Sequence, residues 1–453
     1  MHRSIRHNTR QSTRDQHRAL LLFTLIFYVR RLIIPFEFVK LSSAGYAGLP
    51  RIIAGKKRSK REAAISPTSI RIGIVGLGAA GHAFLPAIKK HPGFELVSVA
   101  EPLKETRESV AVELGVATYA DMPAMLHGTA LDAVYIATPT DLHSDHVAIA
   151  FAAKKHVLTE KPMAVQLQAA EEMVASADHA GVVLLVGHAH GFDLPIQRMR
   201  EIISSGRLGR VRMIHTWNYT DWIYRPRRPE ELDVAKGGGV TFRQGSHQFD
   251  IIRVLGGGMV RSVHASTFNW DPNRNSIGAH TVFIQFVDGT IATAVYNGYG
   301  YFSAMELCAD VTEWGFVEPI EQRHPVVRSR SGRTNADELQ AKRQRAKGAI
   351  PANAPFQPTF GLTVVSCERG DIRQSPRGLY VYSADGREEI LLPNDRSPRE
   401  LVLDEFHDAV TGRQTPIHDG RWGLADLEVC IAAIESAEAG REVELKHQVP
   451  MPR

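Results

Sequence analysis

The sequence predicts an α/β domain with a doubly wound parallel sheet, followed by an α+β domain built on a large, mainly antiparallel sheet. Three observations carry this expectation. From Ile70 to Thr159 short β-branched runs alternate with helical stretches, and the first of these runs leads directly into closely spaced glycines. After Gly187 the strand-like runs instead follow one another across short turns. Strands separated by helices need crossover connections and form parallel sheets, whereas strands joined by tight turns lie antiparallel.

A chain of 453 residues can bury two or three cores, and 43% hydrophobic with 23% charged residues is ordinary for a soluble globular protein. The net charge of +5 is unevenly placed. Residues 1–66 hold 14 Lys/Arg against 3 Asp/Glu, while the remaining 387 hold 40 against 46. A mildly acidic body argues against nucleic-acid binding. Cys308, Cys367 and Cys430 lie far apart without metal-ligand spacing. They suit a reducing compartment and read as small buried apolar residues, and no metal is expected.

The basic leader over residues 1–66 contains the apolar run Ala19–Val29, about half of the ~20 residues that span a bilayer. It reads either as a spurious or disordered extension or as a targeting or membrane-surface peptide. The body is expected to be cytoplasmic, with export left open by that segment.

The first domain is expected over 67–190. Ile70-Arg-Ile-Gly-Ile-Val75 suits a buried strand, Gly76-x-Gly78-x-x-Gly81 follows, and a helix is expected from His82 to Lys90. This order is the dinucleotide fingerprint of a Rossmann fold: Gly76 for the tight turn, Gly78 for approach of the pyrophosphate, Gly81 for close helix packing. A second strand, Phe94–Ala100, ends at Glu101, where a carboxylate meets ribose hydroxyls and favours NAD over NADP. The bland alternative for Glu101 is a loop carboxylate. Strands follow at Leu114–Tyr119, Leu131–Ala137 and His156–Thr159, with a helix over His143–Ala153. Ligands gather at C-terminal strand ends, here Glu101, Thr138-Pro139 and Glu160-Lys161-Pro162.

The triplet Glu160-Lys161-Pro162, with Ala137-Thr138-Pro139 upstream, resembles the Gfo/Idh/MocA oxidoreductases from Ile70 to Leu445. The resemblance implies that Lys161 reaches both the nicotinamide and the reacting oxygen of the substrate, and that His143 lies near the cofactor. A lysine beside a cationic ring should have a lowered pKa, suited to proton transfer.

The second domain is expected over 191–440, with a polar insert at 318–358 and a tail at 441–453. Its strands are read at Val211–Tyr219, Val260–Phe268, His280–Val287, Ile291–Tyr296, Gly361–Cys367, Gly378–Tyr382 and Glu388–Leu392. Helices are read at Ile196–Ser205, Pro398–Thr411 and Gly423–Ala439, and Ala336–Lys347 in the insert is helix-prone. A glycine-rich loop at Gly237 opens a helix that puts Arg243 and His247 on one face. The family resemblance implies an Asp and a His at these two positions; the arginine departs from that pattern. Lys161 and His247 remain as proton-transfer candidates, with Asp250 as a carboxylate to orient His247.

Arg225, Arg227, Arg228 and Arg243, with Tyr219 and Trp222, suit an anionic ring compound, since guanidinium groups grip carboxylates and aromatic rings stack on flat substrates. The alternative pairs these charges with Glu230 and Glu231. The stretch Tyr224–Asp233 and the run Val364–Asp371 resemble the phthalate 4,5-cis-dihydrodiol dehydrogenase branch, which implies oxidation of a carboxylated cis-dihydrodiol to a catechol. A sugar or cyclitol dehydrogenase, or a non-catalytic NAD(P)-binding regulator, are the rival readings. The resemblance also implies a homodimer or homotetramer.

Overall fold

The computed structural model describes residues 69–319, 337–342 and 354–452. The basic leader, the arginines at 328–333 and the second half of the insert helix expected to end at Lys347 lie outside the described residues.

Strands β1 (Ile70–Val75), β2 (Phe94–Ala100), β3 (Ala117–Tyr119), β4 (Ala133–Ile136), β5 (His156–Glu160) and β6 (Leu184–Gly187) form one parallel sheet in the order β3-β2-β1-β4-β5-β6. The strand order reverses between β1 and β4, so their C-terminal ends open the crevice in which such sheets bind ligands. Helices α1 (Ala79–Lys90), α2 (Lys104–Leu114), α3 (Met122–Gly128), α4 (His143–Ala152) and α5 (Leu167–Ala180) cross between strands. Covered on both faces, β4 and β6 are buried along their whole lengths. Leu114 corrects the reading of the third strand. It is the last residue of α2, which Gly115 ends in a left-handed conformation (φ 67°), and β3 begins only at Ala117.

The second sheet has nine strands in the order β14-β13-β12-β11-β7-β10-β9-β8-β15. They are β7 (Val211–Tyr219), β8 (Val260–Phe268), β9 (Ala279–Phe286), β10 (Ile291–Asn297), β11 (Leu362–Cys367), β12 (Gly370–Ser375), β13 (Gly378–Ser383), β14 (Gly386–Leu391) and β15 (Val443–Glu444). Every pairing is antiparallel except that of β7 with β10. Helices α6 (Leu194–Ser204), α7 (Ser246–Gly256) and α9 (Gly420–Ala439) pack on one face of it. The opposite face exposes Met213, Trp217 and Phe283, which share it by strand alternation and register.

Two C-terminal helices tie the layers together. Helix α8 (Pro398–Val410) starts at a capping box of Ser397 with Glu400 and buries Val402, Leu403 and Phe406 against Ile72, Phe84 and Phe94 of the parallel sheet layer. Helix α9 packs on both α5 and β8. Among the described residues no helix is long and apolar enough to cross a membrane.

Candidate active site

Gly76 follows β1 with φ 90°, a conformation that favours glycine, and a Cβ there would lie 3.0 Å from the Ala137 carbonyl. The glycine turn thus presses against the end of β4, where Thr138 and Pro139 sit half-buried. A Cβ on Gly81 would approach the Gly76 carbonyl to 2.2 Å, whereas one on Gly78 would meet nothing within 4 Å. Open space therefore lies in front of α1, whose start no side chain caps. Its unsatisfied N–H groups suit a phosphate.

Glu101 is buried at the end of β2, with Oε2 accepting from the Leu77 amide (2.9 Å) and Oε1 from the Leu103 amide (3.1 Å). Each oxygen keeps a second lone pair for a ribose hydroxyl. Arg107 is spent on the carbonyls of Glu101 and Pro102. This cradle fits NAD.

His143 braces the site. Its ring nitrogens lie 2.9 Å from the Pro162 carbonyl and 3.0 Å from the Thr138 carbonyl, at the two strand-end loops; burial lowers its pKa to about 4, so the neutral ring donates to one of them.

At the reacting pole, half-buried Lys161 extends from the end of β5 and donates from Nζ to the backbone carbonyl of Arg243 at 2.7 Å. Burial, then the Arg243 cation, brings its pKa down to about 8. Glu160 beside it accepts from the Tyr135 hydroxyl at 2.7 Å. Arg243 belongs to a π-helical turn, Thr241–Gly245, rather than to the first turn of the helix expected there, and α7 starts only at Ser246. Such turns are rare and frequent at functional sites. The Arg243 guanidinium donates to Thr140 Oγ1 (2.8 Å) and lies 3.5 Å from Glu231.

His247 is buried, its Nδ1 without a hydrogen-bond partner, and burial followed by the Lys161 charge holds its pKa well below the usual histidine value. Its ring meets His190 edge-on at 4.6 Å and Phe360 at 5.0 Å. Asp250 does not orient it. That carboxylate accepts from Trp422 Nε1 (2.8 Å) and pairs with His418 (3.3 Å), because on α7 it faces α9.

The arginines all have partners. Arg225 pairs with Asp221 (2.6 Å) and lies 4.0 Å from Glu313; Arg228 pairs with Glu230 (3.1 Å). Glu231, buried at the end of a short helix, is shared by Arg243, Arg227 and Lys342, which hold its carboxyl far below the usual range. Trp222 is itself buried and stacks on Arg227 (4.0 Å), so it supports that arginine rather than a substrate. Tyr219 packs on Phe302, on the sheet face that carries Trp217, while Thr216 and its partner Gln248 lie on the face towards α7. The structure does not bring Tyr219 to Lys161.

Residues 70–188 match the oxidoreductase family Gfo/Idh/MocA with its NAD-binding Rossmann fold, and residues 196–307 match a C-terminal domain of the same family. The chain is 39% identical over 381 residues to the 1-carboxy-3-chloro-3,4-dihydroxycyclohexa-1,5-diene dehydrogenase of Comamonas testosteroni, covering 82% of this chain and 95% of that one. The chain belongs to the Gfo/Idh/MocA oxidoreductase family. This member binds NAD. A protein from Bordetella bronchiseptica RB50 assigned as a dehydrogenase superposes with a TM-score of 0.78 at 35% identity, over 83% of this chain and 100% of that one. The WlbA dehydrogenase of Bordetella pertussis, solved with NADH and UDP-GlcNAcA, shares the fold with a TM-score of 0.61 at 22% identity, over 83% and 99%.

Four residues of this cluster escape the sequence reading: His190, Asp193, Glu313 and Lys342. His190 and Asp193 follow β6, and the strand-end rule that located Lys161 would have found them had β6 been recognised. Glu313 and Lys342 carry no local signal; only the folded chain places them.

Proposed function

We propose that this oxidoreductase oxidises a carboxylated cyclic cis-dihydrodiol to the catechol. The observation that carries the reading is the Arg243 cation at the reacting pole, which donates to Thr140 and lowers the Lys161 pKa against the opposing charges of Glu160 and Glu313. Such a field favours a substrate carboxylate and the developing alkoxide alike, and the similarity to a carboxy-dihydroxycyclohexadiene dehydrogenase supports it.

Gly76, Gly78, Gly81, Glu101 and Thr138-Pro139 would hold the dinucleotide, and nicotinamide bound there supplies a hydride acceptor. Neutral Lys161 takes the hydroxyl proton as the carbinol carbon gives up its hydrogen with the bonding pair, leaving a ring ketone. Loss of a ring proton, with protonation of the ketone oxygen, then yields the catechol. Lys161 keeps its aim because one of its hydrogen bonds is spent on the Arg243 carbonyl. His247, neutral and beside it, is the second acceptor. Arg225, Arg227, Arg228 and Arg243 line the carboxylate side.

The exposed Met213, Trp217 and Phe283 face suits contact between copies of the chain, in keeping with a homodimer or homotetramer. An NAD-linked step in the degradation of aromatic compounds suits the cytoplasm.

A panel of phthalate dihydrodiol, carboxylated cyclohexadiene diols, inositol and glucose, followed by NADH absorbance, tests the substrate. Turnover confined to the neutral cyclitol or sugar would overturn the reading.

A further inference from the structure

His190 projects from the turn after β6, and its two nitrogens face two carboxylates: Nδ1 lies 3.0 Å from Asp193 and Nε2 3.3 Å from Glu313. A neutral imidazole carries one N–H, so a ring that donates to both acceptors must carry two and be cationic. Burial opposes that charge, but Asp193 and Glu313 outweigh it and lift the pKa to about 9. The charged ring meets His247 edge-on, with centroids 4.6 Å apart and planes at 82°, and Phe360 packs against both rings.

We propose that His190, locked as an imidazolium between Asp193 and Glu313, is a positioning residue that adds to burial and the Lys161 charge in keeping the adjoining His247 neutral and able to accept a proton. After burial, the largest effects on His247 come from Lys161, His190, His188 and Arg399. Below about pH 8 Lys161, His190 and Arg399 are cationic, and burial keeps His188 neutral at ordinary pH. Among the described residues no carboxylate is hydrogen-bonded to His247, so a second proton there would sit unpaired beside a fixed cation. Asp193 and Glu313 are engaged with His190, and Glu313 also faces Arg225. The consequence for turnover rests on the reading of His247 as a proton acceptor; the electrostatic relation does not.

Titration of His247 by NMR in histidine-labelled, NAD-bound enzyme, with the resonance assigned through His247→Asn, tests this directly. In His190→Gln the His247 midpoint should rise. His190→Lys, which keeps a cation between the carboxylates, should retain the low midpoint. An unchanged midpoint in His190→Gln, or an equal rise in both variants, overturns the proposal. Should His190→Gln fail to fold, Glu313→Gln at the partly exposed end of the lock should lower the midpoint of His190 itself, and an unchanged His190 midpoint overturns the proposal equally. Full turnover by His247→Asn would instead remove the catalytic reading of His247 and leave the titration result standing.

Discussion

The ammonium of Lys161 is bonded to the backbone carbonyl of Arg243, 82 positions away, at 2.7 Å. This contact joins the end of the parallel sheet to the π-helical turn of the second layer, so the proton-transfer group and its nearest cation are fixed relative to each other. Lys161→Met should retain the fold, since the side chain is only half-buried, and lose about 10²- to 10⁴-fold in kcat. Steady-state kinetics beside a thermal melt check this; full turnover in the variant would contradict the mechanism.

The pKa of about 8 at Lys161 sets the direction of the pH profile. The base must be neutral before it accepts a proton, so kcat/KM should rise with pH and level off above about 8. Arg243→Gln removes a like charge, and the midpoint should then move upward. A profile that falls through this range would exclude Lys161 as the base.

Arg243 should also discriminate between substrates. Loss of its charge should raise KM for a carboxylated diol by roughly tenfold or more, equivalent to ~1.5 kcal/mol for a hydrogen bond to a charged group, and should hardly change KM for a neutral cyclitol. Equal effects on both would show that Arg243 serves the site structurally, through Thr140 and Glu231, and not as a carboxylate ligand.

Much of this was legible locally. Val211–Tyr219 and Val260–Phe268 are strands at the limits read from their alternation, and the run from Ile72 to Gly81 announces its own turn. The four-residue β6 is uniformly buried and has no period to detect, while β12 is polar enough to pass for a loop. Glu313 and His190 stand 123 positions apart, and no window along the chain can pair them. The arginines showed the converse limit. Their charge was plain, but the sharing of buried Glu231 by Arg227 and Arg243, with Lys342 arriving from the insert, arises only on folding.

The glycines offer a clean separation of binding from folding. Gly78 has φ −68° and open space where a Cβ would stand, so Gly78→Ala should melt like the parent chain yet bind NAD more weakly, because the methyl group occupies the phosphate cradle. Gly81→Ala puts its Cβ 2.2 Å from the Gly76 carbonyl, which is backbone and cannot swing aside, so that variant should lose stability outright. Calorimetric titration with NAD and thermal melts of both variants check the pair. A Gly78→Ala protein that binds NAD as tightly as the parent would move the phosphate site elsewhere.

The buried pair of His418 and Asp250 should show itself in stability against pH. Burial opposes charge on His418, but Glu405 and Asp250 outweigh it and lift its pKa to about 10, while His418 holds the Asp250 carboxyl down. A histidine raised on folding stabilises fully below its ordinary value near 6.5, and this contribution fades as pH climbs to about 10. The depressed Asp250 works in the other direction, and its contribution fades on acidification. Asp250→Asn leaves His418 with Glu405 alone and should cost about 3 kcal/mol near pH 7. Because His418 loses its charge at high pH in either protein, the gap between the melting temperatures of variant and parent should narrow towards about pH 10. A gap that stays constant from pH 6 to 10 would mean that Asp250 stabilises through its bond from Trp422 and not through the histidine charge.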